Sequence, residues 1–289
     1  MKIYRLLFLL LFCSELLAQS GSEILLFGLK NQTTLVNGMN ITNHSGYDNQ
    51  PSFIMGSRSR LFYTSFNDSG RADIKVYDIF KKTTTNFTNT HDREYSPVLT
   101  PDEKHISCIL QRDNGSQDLV QYPIKGGEPQ VLINTLKVGY HAWVDDHRLL
   151  LFVLEDSSRN TLHFYDLRTQ KDTVLAENPG RCLAKIPGEF SMSFVQVSKD
   201  GNTLCAYDYY ENRIRVLGKT LPGKDQYAWY NGHTIYMSDG KDIFVAEKDH
   251  LDNWTPLTIE GDRSSLKGIT RLAVYWGLKY SYMAVVVAE

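Results

Sequence analysis

A strand that ends in an aromatic residue and a turn former recurs along this chain. ADIKVYD runs to Asp78, DLVQYP to Pro123, TLHFYD to Asp166 and TLCAYD to Asp208, at intervals of 45, 43 and 42 residues. A weaker copy, DIFVAE, ends at Glu247. Each is followed by a polar turn and a short second segment (TTTNFT, PQVLIN, DTVLAE, RIRVLG, WTPLTI), the pattern of two strands joined by a hairpin. Two more strands precede each copy: YSPVLT and HISCIL around PDEK, YHAWVD and LLLFVLE around DHR, RCLAKI and SMSFVQV around PGEF, QYAWY and TIYMS around NGH. Four short strands per unit at this period predict an all-β fold, a β-propeller of four-stranded antiparallel blades.

The two ends of the chain complement each other. TRLAVYW and YSYMAVVVAE at the C-terminus read as the first two strands of a blade, and EILLFGL and TTLVNG near the N-terminus as the last two. Together they make one blade, so the N-terminal strands complete the C-terminal blade and close the ring, removing the sheet edges an open array would leave. With the five internal units this gives six blades, expected near residues 47–89, 92–134, 137–177, 179–218, 223–260, and 264–289 with 22–43, in a single domain over 22–289. An irregular β-sandwich does not account for the complementary half-units.

Residues 1–19 read differently. Lys2 and Arg5 precede the apolar run Leu6–Phe12, and small or polar residues surround Ala18, the order of a secretory signal peptide. The run is too short to span a bilayer, so the expectation is an exported protein, periplasmic or extracellular, with no membrane span after cleavage. A formal net charge of −2, with no basic run, gives no electrostatic case for a nucleic-acid partner. Beyond the leader, Cys108, Cys182 and Cys205 form no disulfide framework, and Cys108 and Cys205 sit in strand-like runs as free thiols.

The segments EYSPVLTPDEKHISC and SGYDNQPSF, the Tyr-Asp strand ends and the closing ITRLAV resemble the TolB-like (WD-type, Pro-Asp-repeat) β-propeller proteins, from about Ser22 to Glu289. The Ser-Pro-Asp-Gly turn of that family is nearly intact only at Thr100–Glu103; MGSRSR and YWGLKY replace it in the first and last blades. The resemblance implies a six-bladed propeller and leaves several roles open, since such propellers serve as scaffolds, binding modules, sensors and accessory domains of peptidases and lyases.

In a propeller the innermost strand of each blade lines the central channel, and the loop leading into it sits at one mouth. The residues so placed are Asp48, Asn49 and Gln50, Glu94 and Tyr95, Tyr140 and His141, Arg181, Gln226 and Tyr227, and Thr270 and Arg271. This polar, aromatic set with both charge signs converges as a ligand site does, and two arginines facing carboxylates suit a carboxylate or sugar acid. The competing role is structural: the same groups bonding one another and holding water. Pro51 starts an inner strand, where the edge beside the channel needs no backbone donor.

His44, Asp48, His91, Asp92, Glu94 and His141 all precede or enter inner strands, but no HExxH or paired-Cys spacing occurs. Some lyases in the broad group hold a channel metal with His and Gln, for which Gln50 and His141 are the suggestive pair here. No GxSxG elbow is present, KGGEP is an inter-strand turn, and no α/β-hydrolase domain is expected beyond the last blade. Trp143 and Trp229 hold equivalent inner-strand positions, as packing residues would. The function expected is therefore an exported, monomeric binding or scaffold module, without a cofactor, meeting an exported protein or a small anionic or carbohydrate ligand at the channel mouth. The alternative is a small channel-site lyase or hydrolase of a sugar acid, assisted by a divalent metal.

Overall fold

In the computed structural model, which describes residues 21–54, 60–67, 69–155, 159–277 and 279–289, six sheets, antiparallel but for one short added strand, follow one another around an axis. The first blade is β3 (Asp48–Phe53), β4 (Arg60–Phe66), β5 (Ala72–Asp78) and β6 (Thr83–Asn86). The second is β7 (Arg93–Leu99), β8 (His105–Gln111), β9 (Gln117–Pro123) and β10 (Gln130–Ile133). The third is β11 (Val138–Trp143), β12 (Arg148–Val153), β13 (Thr161–Asp166) and β14 (Lys171–Glu177). The fourth is β15 (Pro179–Lys185), β16 (Ser191–Gln196), β17 (Thr203–Asp208) and β18 (Arg213–Lys219), and the fifth is β19 (Tyr227–Trp229), β20 (Thr234–Ser238), β21 (Ile243–Glu247) and β22 (Thr255–Pro256). The leader-like residues 1–19 and most of the MGSRSR turn lie outside the described residues.

The sixth blade joins the two ends of the chain. β24 (Arg271–Tyr275) pairs with β25 (Tyr282–Ala288), β25 with β1 (Ser22–Lys30), and β1 with β2 (Thr34–Asn40). The closing ladder runs unbroken from Ser22↔Ala288 to Gly28↔Tyr282. One detail differs from the sequence reading. WTPLTI was expected to form a single outer strand of the fifth blade, but it divides. Thr255–Pro256 stays on β21, while Thr258–Ile259 (β23) crosses to pair in parallel with Thr34 and Leu35 of β2. Pro256 stands where an N–H would face away from β21, and the next residue, Leu257, still donates its N–H to Ile243 O at 2.8 Å while its side chain is buried in the core between the fifth and sixth blades. The crossing segment straps the fifth blade to the N-terminal strands.

The core lies between blades. Side chains alternate along each strand, and the middle strands carry apolar residues on both faces because each blade is packed between two others. On β12, Leu149, Leu151 and Val153 face the second blade and Leu150 faces the fourth. On β25, Met283, Val285 and Val287 face the fifth blade, while Ala284 and Val286 face the first. This explains the uninterrupted runs LLLF and AVVV. Outer strands are open to solvent, and all four residues of β6 are exposed.

The inner strands of the first two blades share an irregularity that positions the site. Gln50 and Ser96, each just before a proline, have φ of 57° and 55°. The pairing register shifts there, between Asn49 and Ser52 and between Tyr95 and Val98. These are β-bulges, which re-aim the side chains around them.

Candidate functional site

All six blades contribute to a cavity of about 410 Å³ on the axis. Matching the inner strands by their pairing to the second strands sorts its wall into levels. Arg181 and Arg271 form the rim. Gln50, Ser96, Tyr140, Cys182 and Gln226 come next, followed by Pro51, Pro97, His141, Tyr227 and Leu183. Val274 shares that level, Ser52, Val98, Ala142 and Ala184 lie deeper, and Phe53, Leu99, Trp143 and Lys185 line the far end. Both inner-strand prolines thus wall the channel. The described wall holds three cationic side chains and no carboxylate.

Of the ten sequence-expected site residues, Gln50, Tyr140, His141, Arg181, Tyr227 and Arg271 line this cavity. Asp48, Asn49, Glu94 and Tyr95 do not. They precede the bulges, and their side chains turn between blades instead. Glu94 is 0% exposed and accepts from Thr88 Oγ1 (3.1 Å), Thr90 Oγ1 (2.5 Å) and Tyr122 Oη (3.1 Å). Burial raises its pKa against those three bonds. Tyr95 sits edge-on to Phe66, and Asn49 Oδ1 accepts from the Gln50 amide at 2.7 Å. Asp48 is equally buried, yet neither carboxylate oxygen has a hydrogen-bond partner. His44 Nε2 lies 3.1 Å away without the alignment of a hydrogen bond. The expected mixture of charge signs at the mouth is replaced by a cationic rim.

The two arginines differ. Arg181 is open to solvent, and its Nε lies 3.6 Å from Asp225 just outside the cavity. Arg271 has no carboxylate partner among the described residues. Its guanidinium carbon lies 5.5 Å from the centroid of the Tyr140 ring, on the blade opposite, so Arg271 bridges the mouth by a cation–π contact. The contact is with a ring and not with a hydrogen-bond acceptor, so the guanidinium N–H groups stay available to an anion.

Deeper in the channel, two serines on second strands act as clasps. Ser107 Oγ donates to Val98 O (3.1 Å) and receives Trp143 Nε1 (2.9 Å) and His141 Nε2 (2.8 Å). Ser193 Oγ donates to Ala184 O (3.0 Å) and receives Trp229 Nε1 and Tyr227 Oη, both at 2.8 Å. The third and fifth blades are therefore locked to the second and fourth by the same device, with His141 and Tyr227 in equivalent roles. The network puts the His141 proton on Nε2 and leaves Nδ1 a buried acceptor with no partner. Ser96 Oγ and Gln226 Nε2 are likewise buried and unpartnered.

The chemistry available is recognition more than bond-making. Burial drives the His141 pKa down to about 3, so near neutral pH it accepts a hydrogen bond but carries no proton to donate from Nδ1. Burial pushes Cys182 up to about 11, and its Sγ donates to Tyr227 O at 3.2 Å with no base beside it. Gln50 Oε1, one half of the metal pair suggested by sequence, already accepts from Thr64 Oγ1 and the Ser96 amide, each at 2.7 Å. On the opposite face Asp145, Asp146 and His147 lie close together, but the carboxylates are bound by Arg148 and Arg168. No helix among the described residues is long and apolar enough to cross a membrane.

No protein-family description matches the chain, and no curated protein matches its sequence. Solved structures do match in shape. A putative TolB from Agrobacterium tumefaciens superposes with a TM-score of 0.71 at 11% identity, covering 94% of this chain and 99% of that one. TolB from Acinetobacter baumannii gives 0.59 at 12% identity, covering 92% of this chain, which spans only 63% of that protein. A chain of a nidogen/laminin complex gives 0.60 at 12% identity, with 88% and 98% covered. At these identities the likeness establishes the fold, a TolB-like six-bladed propeller.

Proposed function

We propose that this chain is an exported binding propeller that takes an anionic ligand at the channel mouth, held by Arg271 with help from Arg181. One observation carries the reading. Arg271 has no carboxylate partner among the described residues, is braced across the mouth on Tyr140, and stands over a cavity whose described wall contains no carboxylate. A cationic rim of this kind raises the local concentration of anions and fixes the orientation of one that enters. The leader-like residues 1–19 support the exported part of the proposal. The intact mass of protein recovered outside the cytoplasm tests that part, with loss of the leader as the expected result.

The alternative, a channel-site lyase or hydrolase, has less to support it. His141 is too weak a base near neutral pH, and Cys182 has no base to activate it. Calorimetric titration with small carboxylates, phosphates and sulfates tests the binding reading. Saturable binding should weaken with rising salt and fall about 10- to 100-fold in Arg271→Gln, the loss of a charged hydrogen bond. A folded protein that binds no anion in the set, or an unaffected Arg271→Gln variant, would overturn it.

A further inference from the structure

We infer that the ligand is a small amphipathic carboxylic acid, bound with its acid group at the rim and its apolar body inside the channel, and bearing an O–H or N–H donor close to the acid. This rests on the anion-binding reading and narrows it. The channel wall changes character with depth. The guanidinium level and the amide and hydroxyl level beneath it offer donors, including the unpartnered Gln226 Nε2 and Ser96 Oγ. Next down is the bare His141 Nδ1, a buried acceptor on a side chain only 5% exposed. A carboxylate has no proton to give it, so a donor on the ligand, just below the acid group, satisfies it.

Beyond that level the wall is mostly apolar: Phe53, Val98, Leu99, Ala142, Trp143 and Ala184. The polar exceptions are Ser52 and Lys185, and Lys185 Nζ is engaged by Val144 O at 2.9 Å. A sugar acid carries hydroxyls around its ring, and this deep wall would leave most of them unpaired, each at a desolvation cost. A hydrocarbon body has no such need. From Tyr140, against which the Arg271 guanidinium rests, to Trp143 is three residues of one strand, about 10 Å at the usual rise. That is the length of an acid with a medium-chain tail, and a cavity of about 410 Å³ accommodates it. The orientation also excludes a protein carboxy terminus, because a chain whose acid group sits at the rim would have to continue through the channel.

The test is a chain-length series (butanoate, hexanoate, octanoate), with acetate and galacturonate as polar anions, 3-hydroxyoctanoate to probe the donor, and a hexapeptide with a free carboxy terminus. Affinity should rise about fourfold per methylene as apolar surface is buried. It should level off once the tail reaches Leu99 and Trp143, and 3-hydroxyoctanoate should bind more tightly than octanoate. Ala184→Leu, which narrows the channel, should weaken octanoate more than butanoate at an unchanged melting temperature. If acetate and galacturonate bind as well as octanoate, or the peptide binds as well as the free acids, this inference fails while anion binding stands. If no anion binds at all, the reading beneath it fails too.

Discussion

Asp48→Asn should stabilise this protein at neutral pH. Asp48 is 0% exposed, and both of its carboxylate oxygens lack hydrogen-bond partners. Burial is the main force on it. The nearby Ser65 hydroxyl and the charges of His44 and Lys75 pull the other way, Glu23 adds to the rise, and the pKa is pushed from 3.8 up to about 6. A folded-state pKa raised above the unfolded value contributes stability below pH 3.8, and that contribution is lost as pH rises through about 6. A rise of this size corresponds to about 3 kcal/mol, the cost of keeping Asp48 ionised and buried at pH 7.5. Asparagine keeps the shape without the charge, so the variant should gain about 2 to 3 kcal/mol at pH 7.5 and little at pH 4. Urea unfolding of both proteins at pH 4, 6 and 7.5 measures this directly. Parallel pH profiles, or a less stable variant at pH 7.5, would mean that the Asp48 carboxylate has a stabilising partner and that the reasoning is wrong.

Three further outcomes follow from the packing. Ser193→Ala removes the acceptor shared by Trp229 and Tyr227. It should cost about 2 to 4 kcal/mol by chemical denaturation, because two buried donors are left unpaired. Deleting residues 21–30 removes β1 and strips the closing ladder from β25. The exposed edge should abolish cooperative thermal unfolding and give aggregates by size-exclusion chromatography. Cys182, with its thiol pushed up to about 11, should hold only about one part in a thousand as thiolate at pH 8. It should therefore react with a disulfide reagent far more slowly than a free thiol, and fast modification of Cys182 in the folded protein, mapped by peptide mass, would contradict its environment.

The architecture was legible because repetition and closure leave marks along the chain. The Tyr-Asp strand ends set the period, and the half-blades at the two termini could be matched by strand count alone. The division of WTPLTI was less visible, since the pull of Leu257 into the neighbouring blade is a tertiary effect. The candidate site was only half legible. Placing residues at the mouth from their position before an inner strand worked for Gln50, Tyr140, Arg181 and Arg271. It failed for Asp48, Asn49, Glu94 and Tyr95, because the backbone of Gln50 and Ser96 turns to positive φ and re-aims what precedes it. The signal was present in the shared residue-then-proline step of DNQP and EYSP, but its consequence needs a backbone. Ser107 and Ser193 carried almost no signal, as their partners lie on the next blade, more than thirty residues away.

The central claim is that the channel holds an acid with its head at Arg271 and its body within. Crystals soaked with 8-bromooctanoate and measured at the bromine absorption edge test it most directly. The account predicts one anomalous peak deep in the channel, near Phe53, Leu99 and Trp143, with the carboxylate against Arg271. A bromine at the rim, or a peak outside the channel while the cavity stays empty at saturating ligand, would contradict it.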